Sequence, residues 1–147
     1  NMPSDSAYFI AVRHRNHFGV QLGQAQAYPD CFSAVPADFR SLPPQGFYAF
    51  NGLSPAQRTV SGVFALWAGN GRIDYQLKYN GSNNDRNAVL TVVGLSTPNA
   101  TVPGYKVEDY NLDGVVKYNG SANDRNVLLG NMGIATPSAV VRDQTEC

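Results

Sequence analysis

The 147-residue chain is short of charge, of sulfur and of long apolar runs. Only 15% of its residues are charged, against the usual quarter, and acids and bases balance to a net charge of zero. Without excess charge there is no electrostatic footprint for nucleic acid or for an anionic membrane surface. No apolar stretch approaches the roughly 20 residues that a membrane-spanning helix needs. Two histidines, His14 and His17, and two cysteines, Cys31 and Cys147, are too few for a zinc cluster or a nucleophile–base–orienter set. The expectation is therefore a protein that is not an enzyme, with the histidines as strand-end residues bonded to loops. The chain opens at Asn1-Met2-Pro3 without a signal peptide and reads as a mature or processed product.

What is abundant is Asn, Gly, Tyr and small polar residues, a composition that favours strands and turns over long helices. Residues 6–22, "SAYFIAVRHRNHFGVQL", alternate at first, with apolar residues on both faces, and predict a central strand. Four prolines, Pro29, Pro36, Pro43 and Pro44, break the stretch from 23 to 46. Short strands are predicted at "GFYAF" (46–50) and "VSGVFALWAG" (60–69). Residues 1–68 thus read as a sandwich-like β segment, too poor in strands to make an independent core. Cys31 and Cys147 predict a disulfide that ties down the C-terminus, the alternative being two unrelated thiols.

The second half, 69–147, is an internal duplication, with units at 69–104 and 105–147. "KYNGSNNDRN" (78–87) recurs 39 residues later as "KYNGSANDRN" (117–126), and each copy runs on to a glycine, Gly94 or Gly133. Each unit reads as a loop followed by a short helix, with the glycine as C-cap and a following Thr-Pro segment that stops the helix. A single loop–helix cannot bury its apolar side, so the duplication implies a paired unit.

The loop of the second copy has the residue types that calcium wants, namely carboxylate, amide and main-chain oxygens. Asp109, Asn111 and Asp113 alternate, Gly114 permits a sharp turn, the Val115 carbonyl follows, and Val116 is placed to enter the core. The closing acid is displaced by "YNGS" to Asp124, which opens the helix ahead of Leu128 and Leu129. A carboxylate there also suits the helix N-terminus, where Asn123 or Asp124 can cap. In the first copy the corresponding set is Asn70, Arg72, Asp74, Gln76 and Asp85. An arginine gives no oxygen and repels a divalent ion, so Arg72 is expected to lie between Asp74 and Asp85 as an internal replacement for the metal.

The D-x-N-x-D-G-x-V pattern ahead of a short helix, twice, resembles the dockerin type of duplicated calcium-binding repeat. With "VRHRNH" (12–17), "ALWAG" (65–69) and the inserted "KYNGS", the chain is more similar still to dockerin-like C-terminal modules of secreted and surface proteins of Bacteroidota. That resemblance implies a mainly β fold with a C-terminal pair of EF-hand-like loop–helix units, located outside the cell and stabilised by Ca2+. It also implies that strands normally precede Tyr8, so that a neighbouring copy would have to donate the missing one. The function expected is a subunit of a cell-surface fibre or pilus-like appendage that assembles with identical copies. The alternative is an anchoring module of a secreted enzyme or adhesin that binds a cohesin-like protein. "DSA" at 5–7 resembles a short O-glycosylation signal of the same bacteria, which would place a glycan on Ser6. Asn80, Asn99 and Asn119 match N-glycosylation sequons, two of them inside the repeat.

Overall fold

In a computed structural model of the chain, residues 6–28, 36–49 and 55–145 are described. They form a mainly β protein with two α-helices, divided into two compact units. The first unit comprises the described residues of Asn1–Arg13, Gly19–Leu66 and Gln144–Cys147. The second comprises His14–Phe18 and Trp67–Asp143, so it recruits five residues from far upstream in the sequence.

Residues 6–22 do not form one central strand. They make β1 (Ser6–Tyr8), β2 (Ala11–His14) and β3 (His17–Gln21). Every residue of β2 is exposed, whereas four of the five in β3 are buried. The predicted two-sided burial thus belongs to β3 alone, where Phe18 and Val20 enter different clusters. β1 pairs antiparallel with β4 (Gln26–Tyr28), and β2 pairs with β3. The stretch predicted as one strand at 60–69 is a hairpin of β5 (Arg58–Val60) and β6 (Val63–Ala65). Ser61 and Gly62 both take positive φ, 49° and 79°, the two-residue turn that suits the twist of a hairpin. At 46–50 there is a single bridge, Leu22 to Phe47, after a 3-10 turn at Pro44–Gly46, and no strand among the described residues. Val20, Leu22, Phe47 and Ala56 form the small core of this unit. The described strands pair only two by two, short of the layers that a sandwich needs.

The second unit is built on the duplication. Its first copy runs β7 (Gln76–Lys78), α1 (Asp85–Val93) and β8 (Thr101–Pro103). Its second runs β9 (Val115–Lys117), α2 (Asp124–Met132) and β10 (Val140–Arg142). Every element of the second copy lies 39 residues after its counterpart. Both helices begin with an asparagine cap: Asn84 accepts from the Asn87 N–H at 2.8 Å, and Asn123 from the Asn126 N–H at 2.9 Å. Both end at a glycine with φ near 90°, Gly94 and Gly133, a conformation that other residues reach only with strain.

The strands do not pair within a copy. β8 of the first copy pairs with β9 of the second, and β10 of the second with β7 of the first. The registers are equivalent: Val102 faces Val116 as Val141 faces Leu77. Each copy thus completes the other's two-stranded sheet, and the helices bury matching positions between them: Val89 and Val93 on α1, Leu128 and Met132 on α2. Together with Phe18, Leu77, Tyr110, Val116 and Val141 these form the larger core.

Candidate functional site

Asp124 is the first residue of α2 and is fully buried. Its Oδ1 accepts the N–H groups of Tyr110 at 2.7 Å and Asn111 at 3.3 Å, and its Oδ2 accepts that of Lys117 at 2.8 Å. The carboxylate therefore clasps both ends of the loop that precedes it. Asp85 does the same in the first copy, accepting from Arg72 N–H at 3.2 Å and Lys78 N–H at 2.8 Å, with Gly71 N–H as the third donor. The three donor positions are the same in both copies, whether or not the rest of the loop carries metal-ligand residues. Burial pushes the Asp85 carboxyl up to about 6, against the opposing pull of its N–H donors, and burial raises Asp124 as well.

The alternating residues of the second loop fold into a turn that their own side chains hold. Asp109 is buried, its Oδ1 accepting the Asp113 N–H at 3.1 Å and its Oδ2 the Gly114 N–H at 3.0 Å. Asn111 Oδ1 accepts the Asp113 N–H at 2.9 Å, and Asp113 Oδ1 accepts the Val115 N–H at 2.9 Å. These are the short-range side-chain-to-backbone bonds that Asp and Asn make in turns. Two cations of the chain approach the same acids. Arg15 lies 3.4 Å from Asp109 Oδ2 and stacks on the Tyr105 ring, 3.5 Å from its centroid. Lys117 Nζ lies 3.1 Å from Asp113 Oδ2. Slight burial raises Asp113, but Lys117, the Val115 N–H and the Asn111 amide outweigh it and hold the carboxyl below its ordinary value.

The chemistry of this donor set fits a hard cation, since it is oxygen throughout and combines carboxylates with an amide and the Val115 carbonyl. A carboxylate oxygen has two acceptor positions, and Asp109 Oδ1, Asp113 Oδ1 and Asp124 Oδ2 each hold one N–H. The acids are nevertheless not gathered on one point: among the described residues no three His, Cys, Asp or Glu side chains form a group able to hold a metal.

In the first loop Asn70 replaces the buried aspartate and bonds both ways with the Asp74 backbone, at 3.0 and 3.1 Å. Asp74 accepts the Gln76 N–H at 2.8 Å. The Arg72 guanidinium meets Asp74 at 3.6 Å, both being partly exposed, while Asp85 receives Arg72 through its backbone N–H. Arg72 therefore does not lie between the two acids as a stand-in for an ion. Val116 and its counterpart Leu77 are both fully buried. Ser6 opens β1, half-buried, opposite Tyr28. Cys31 and Cys147 lie outside the described residues.

Three features were not read from the sequence. One is Arg15 on Asp109, a contact across 94 residues that no local pattern announces. Another is Tyr110, whose hydroxyl donates to the Asp85 carbonyl at 3.0 Å and fills the space where Gly71, its counterpart, would carry a side chain. The third is the close pairing of His14 and His17 around Asn16. "HRNH" at a hairpin turn was the available signal. Comparison with protein-family models, with curated proteins and with solved structures returns no match.

Proposed function

We propose that this chain is a non-enzymatic, extracellular structural subunit of a cell-surface fibre or pilus-like appendage, stiffened by calcium at the 109–115 turn. The observation that carries the reading is the use of the buried acids. Asp85 and Asp124 spend their oxygens on the backbone of their own loops, and Asp109 on its own turn, which is the work of a clamp. Asp109, Asn111, Asp113, the Val115 carbonyl and, as the closing acid, Asp124 would hold the ion, and calcium would supply charge neutralisation and cross-linking of the turn. Assembly by strand donation is supported by the first unit's short strands, which pair only two by two among the described residues. Electron microscopy of native material tests the assembly: fibres built of this one chain are expected, and dispersed monomers would reject it.

A second reading, a dockerin-like anchoring module for a cohesin-like partner, is favoured by one observation. Leu95 and Ile134 occupy equivalent positions just after the two helices and are 75% and 81% exposed. Two matching apolar side chains on a duplicated frame suit recognition by another protein. A soluble monomer that captures its partner only with calcium present would favour this reading over the fibre.

A further inference from the structure

The turn between β2 and β3 carries an arrangement that neither the calcium loop nor the fibre reading uses. His14 Nδ1 and His17 Nδ1 face each other at 2.9 Å. Asn16 Oδ1 stands 3.2 Å from the first and 2.6 Å from the second. Three donor atoms thus form a small triangle at a hairpin tip, within one compact unit.

The orientation of the amide is fixed from behind. Asn16 is fully buried, and its Nδ2 donates to the Asp109 carbonyl at 2.6 Å, so its oxygen must point at the imidazoles. Its own carbonyl accepts the N–H groups of Gly69 and Asn70 at 2.9 and 3.0 Å. Asn16 is thereby anchored on both its side chain and its backbone, as an outer shell anchors a ligand. His14 is exposed and His17 half-buried, which leaves a path to the triangle from solvent. The neighbouring guanidinium of Arg15 is drawn off to Asp109 and Tyr105.

Protons alone satisfy this triangle poorly. The amide oxygen only accepts, and each neutral imidazole puts either a proton or a lone pair on Nδ1. If both Nδ1 atoms donate to Asn16, two N–H groups confront each other across the 2.9 Å edge. With one proton, a lone pair of nitrogen is left against another lone pair. A cation inside the triangle would use all three lone pairs at once. Two bonds of about 2.0–2.1 Å to imidazole nitrogen put the nitrogens about 2.9 Å apart at the right angle of a square-planar copper or nickel ion, and about 3.3 Å apart at a tetrahedral zinc ion, for which this edge would open slightly. The His17–Asn16 edge is shorter and would open on binding.

We propose that His14 Nδ1, His17 Nδ1 and Asn16 Oδ1 form a binding site for a divalent first-row transition-metal ion of the zinc, nickel and copper class. Two imidazoles and one amide oxygen select these ions over calcium, which prefers an all-oxygen shell. Three protein ligands leave further positions for water or for a ligand from another molecule. Both imidazoles bind as the Nε2–H tautomer, so binding to the neutral rings needs no net release of protons. Burial, with the charges of His14 and Arg15, lowers the pKa of His17 to about 4, which keeps that ring neutral and available near pH 7.

The test is calorimetric titration of the full chain, carrying no polyhistidine tag, with Zn2+ in the presence of excess Ca2+. One Zn2+ per chain is expected, and Cu2+ should give a paramagnetic resonance spectrum with hyperfine coupling to two nitrogens. His14→Ala, at an exposed position that leaves folding intact, should weaken binding by at least the roughly 10- to 100-fold that losing an outer-shell partner costs. His17→Ala should do the same, with its fold checked by circular dichroism. Failure of the wild-type chain to bind Zn2+, or His14→Ala binding as tightly as wild type, would overturn the site. Either result would leave the calcium turn untouched, because excess Ca2+ is present throughout.

Discussion

A buried carboxylate that accepts three backbone N–H groups cannot be removed without stranding its donors. Each buried donor left unpaired costs about 1–3 kcal/mol, so Asp85→Ala is expected to destabilise the second unit by about 3 kcal/mol at neutral pH, read by urea denaturation with chelator present. Asp113→Ala, at an exposed position, should change the metal-free stability little. The pH dependence separates the role of Asp85 from simple packing. Its folded carboxyl titrates near 6 and the unfolded one near 3.9, so the folded state binds the proton more tightly. The stabilisation this adds is fully present below about pH 4 and is lost as pH rises through 6. The gap between wild type and Asp85→Ala should therefore widen by about 2 kcal/mol on going from pH 7.5 to 4.5. A gap that narrows would mean that the N–H donors outweigh burial and that the carboxyl is held low instead.

Between the two copies the loop–helix elements are near-replicas, and the places where they differ carry the packing. Gly71 and Tyr110 are counterparts, and a Cβ at Gly71 would overlap the Tyr110 hydroxyl. Gly71→Ala should then cost about 1–3 kcal/mol by overpacking, and Tyr110→Phe should recover part of that loss in the double variant. Additive losses in that cycle would show that the two positions do not compete for the space. The helices were legible in the sequence because their cues are local: Asn-Asp at the start, glycine at the end, apolar residues at i and i+4 between. β8 and β10 were not, because three residues of strand such as Thr101–Pro103 signal little until the partner is known. Their partners lie in the other copy, and no local pattern marks that pairing. Residues 6–22 misled for a related reason. An apolar run predicts burial, but whether one strand or three delivers it depends on a break at Phe9–Ile10 and a turn at Arg15–Asn16, and no glycine or proline marks these. The second loop was legible as a turn from its alternating Asp and Asn residues, while the hydrogen bonds that engage its acids come from backbone groups with no sequence signature.

On the scale of the molecule, the exchanged pairing of β7 with β10 and of β8 with β9 makes the duplication obligatory. A fragment holding residues 105–143 alone would lack the partners of both its strands and should show no cooperative unfolding, whereas 67–143 with the His14–Phe18 segment restored should. Cooperative melting of the single copy would contradict the exchange. The same interlock explains how one ion could matter to the whole unit, because the 109–115 turn leads directly into β9 and, through Asp124, into α2. The most direct measurement is thermal unfolding of the full chain with millimolar Ca2+ and with chelator, for wild type and Asp113→Ala. Calcium at about 100 times its dissociation constant adds about 2.7 kcal/mol, which at this chain length raises the wild-type midpoint by about 5 °C or more. That rise should be absent or much reduced in Asp113→Ala. A wild-type midpoint that is the same with calcium and with chelator would contradict the calcium clamp.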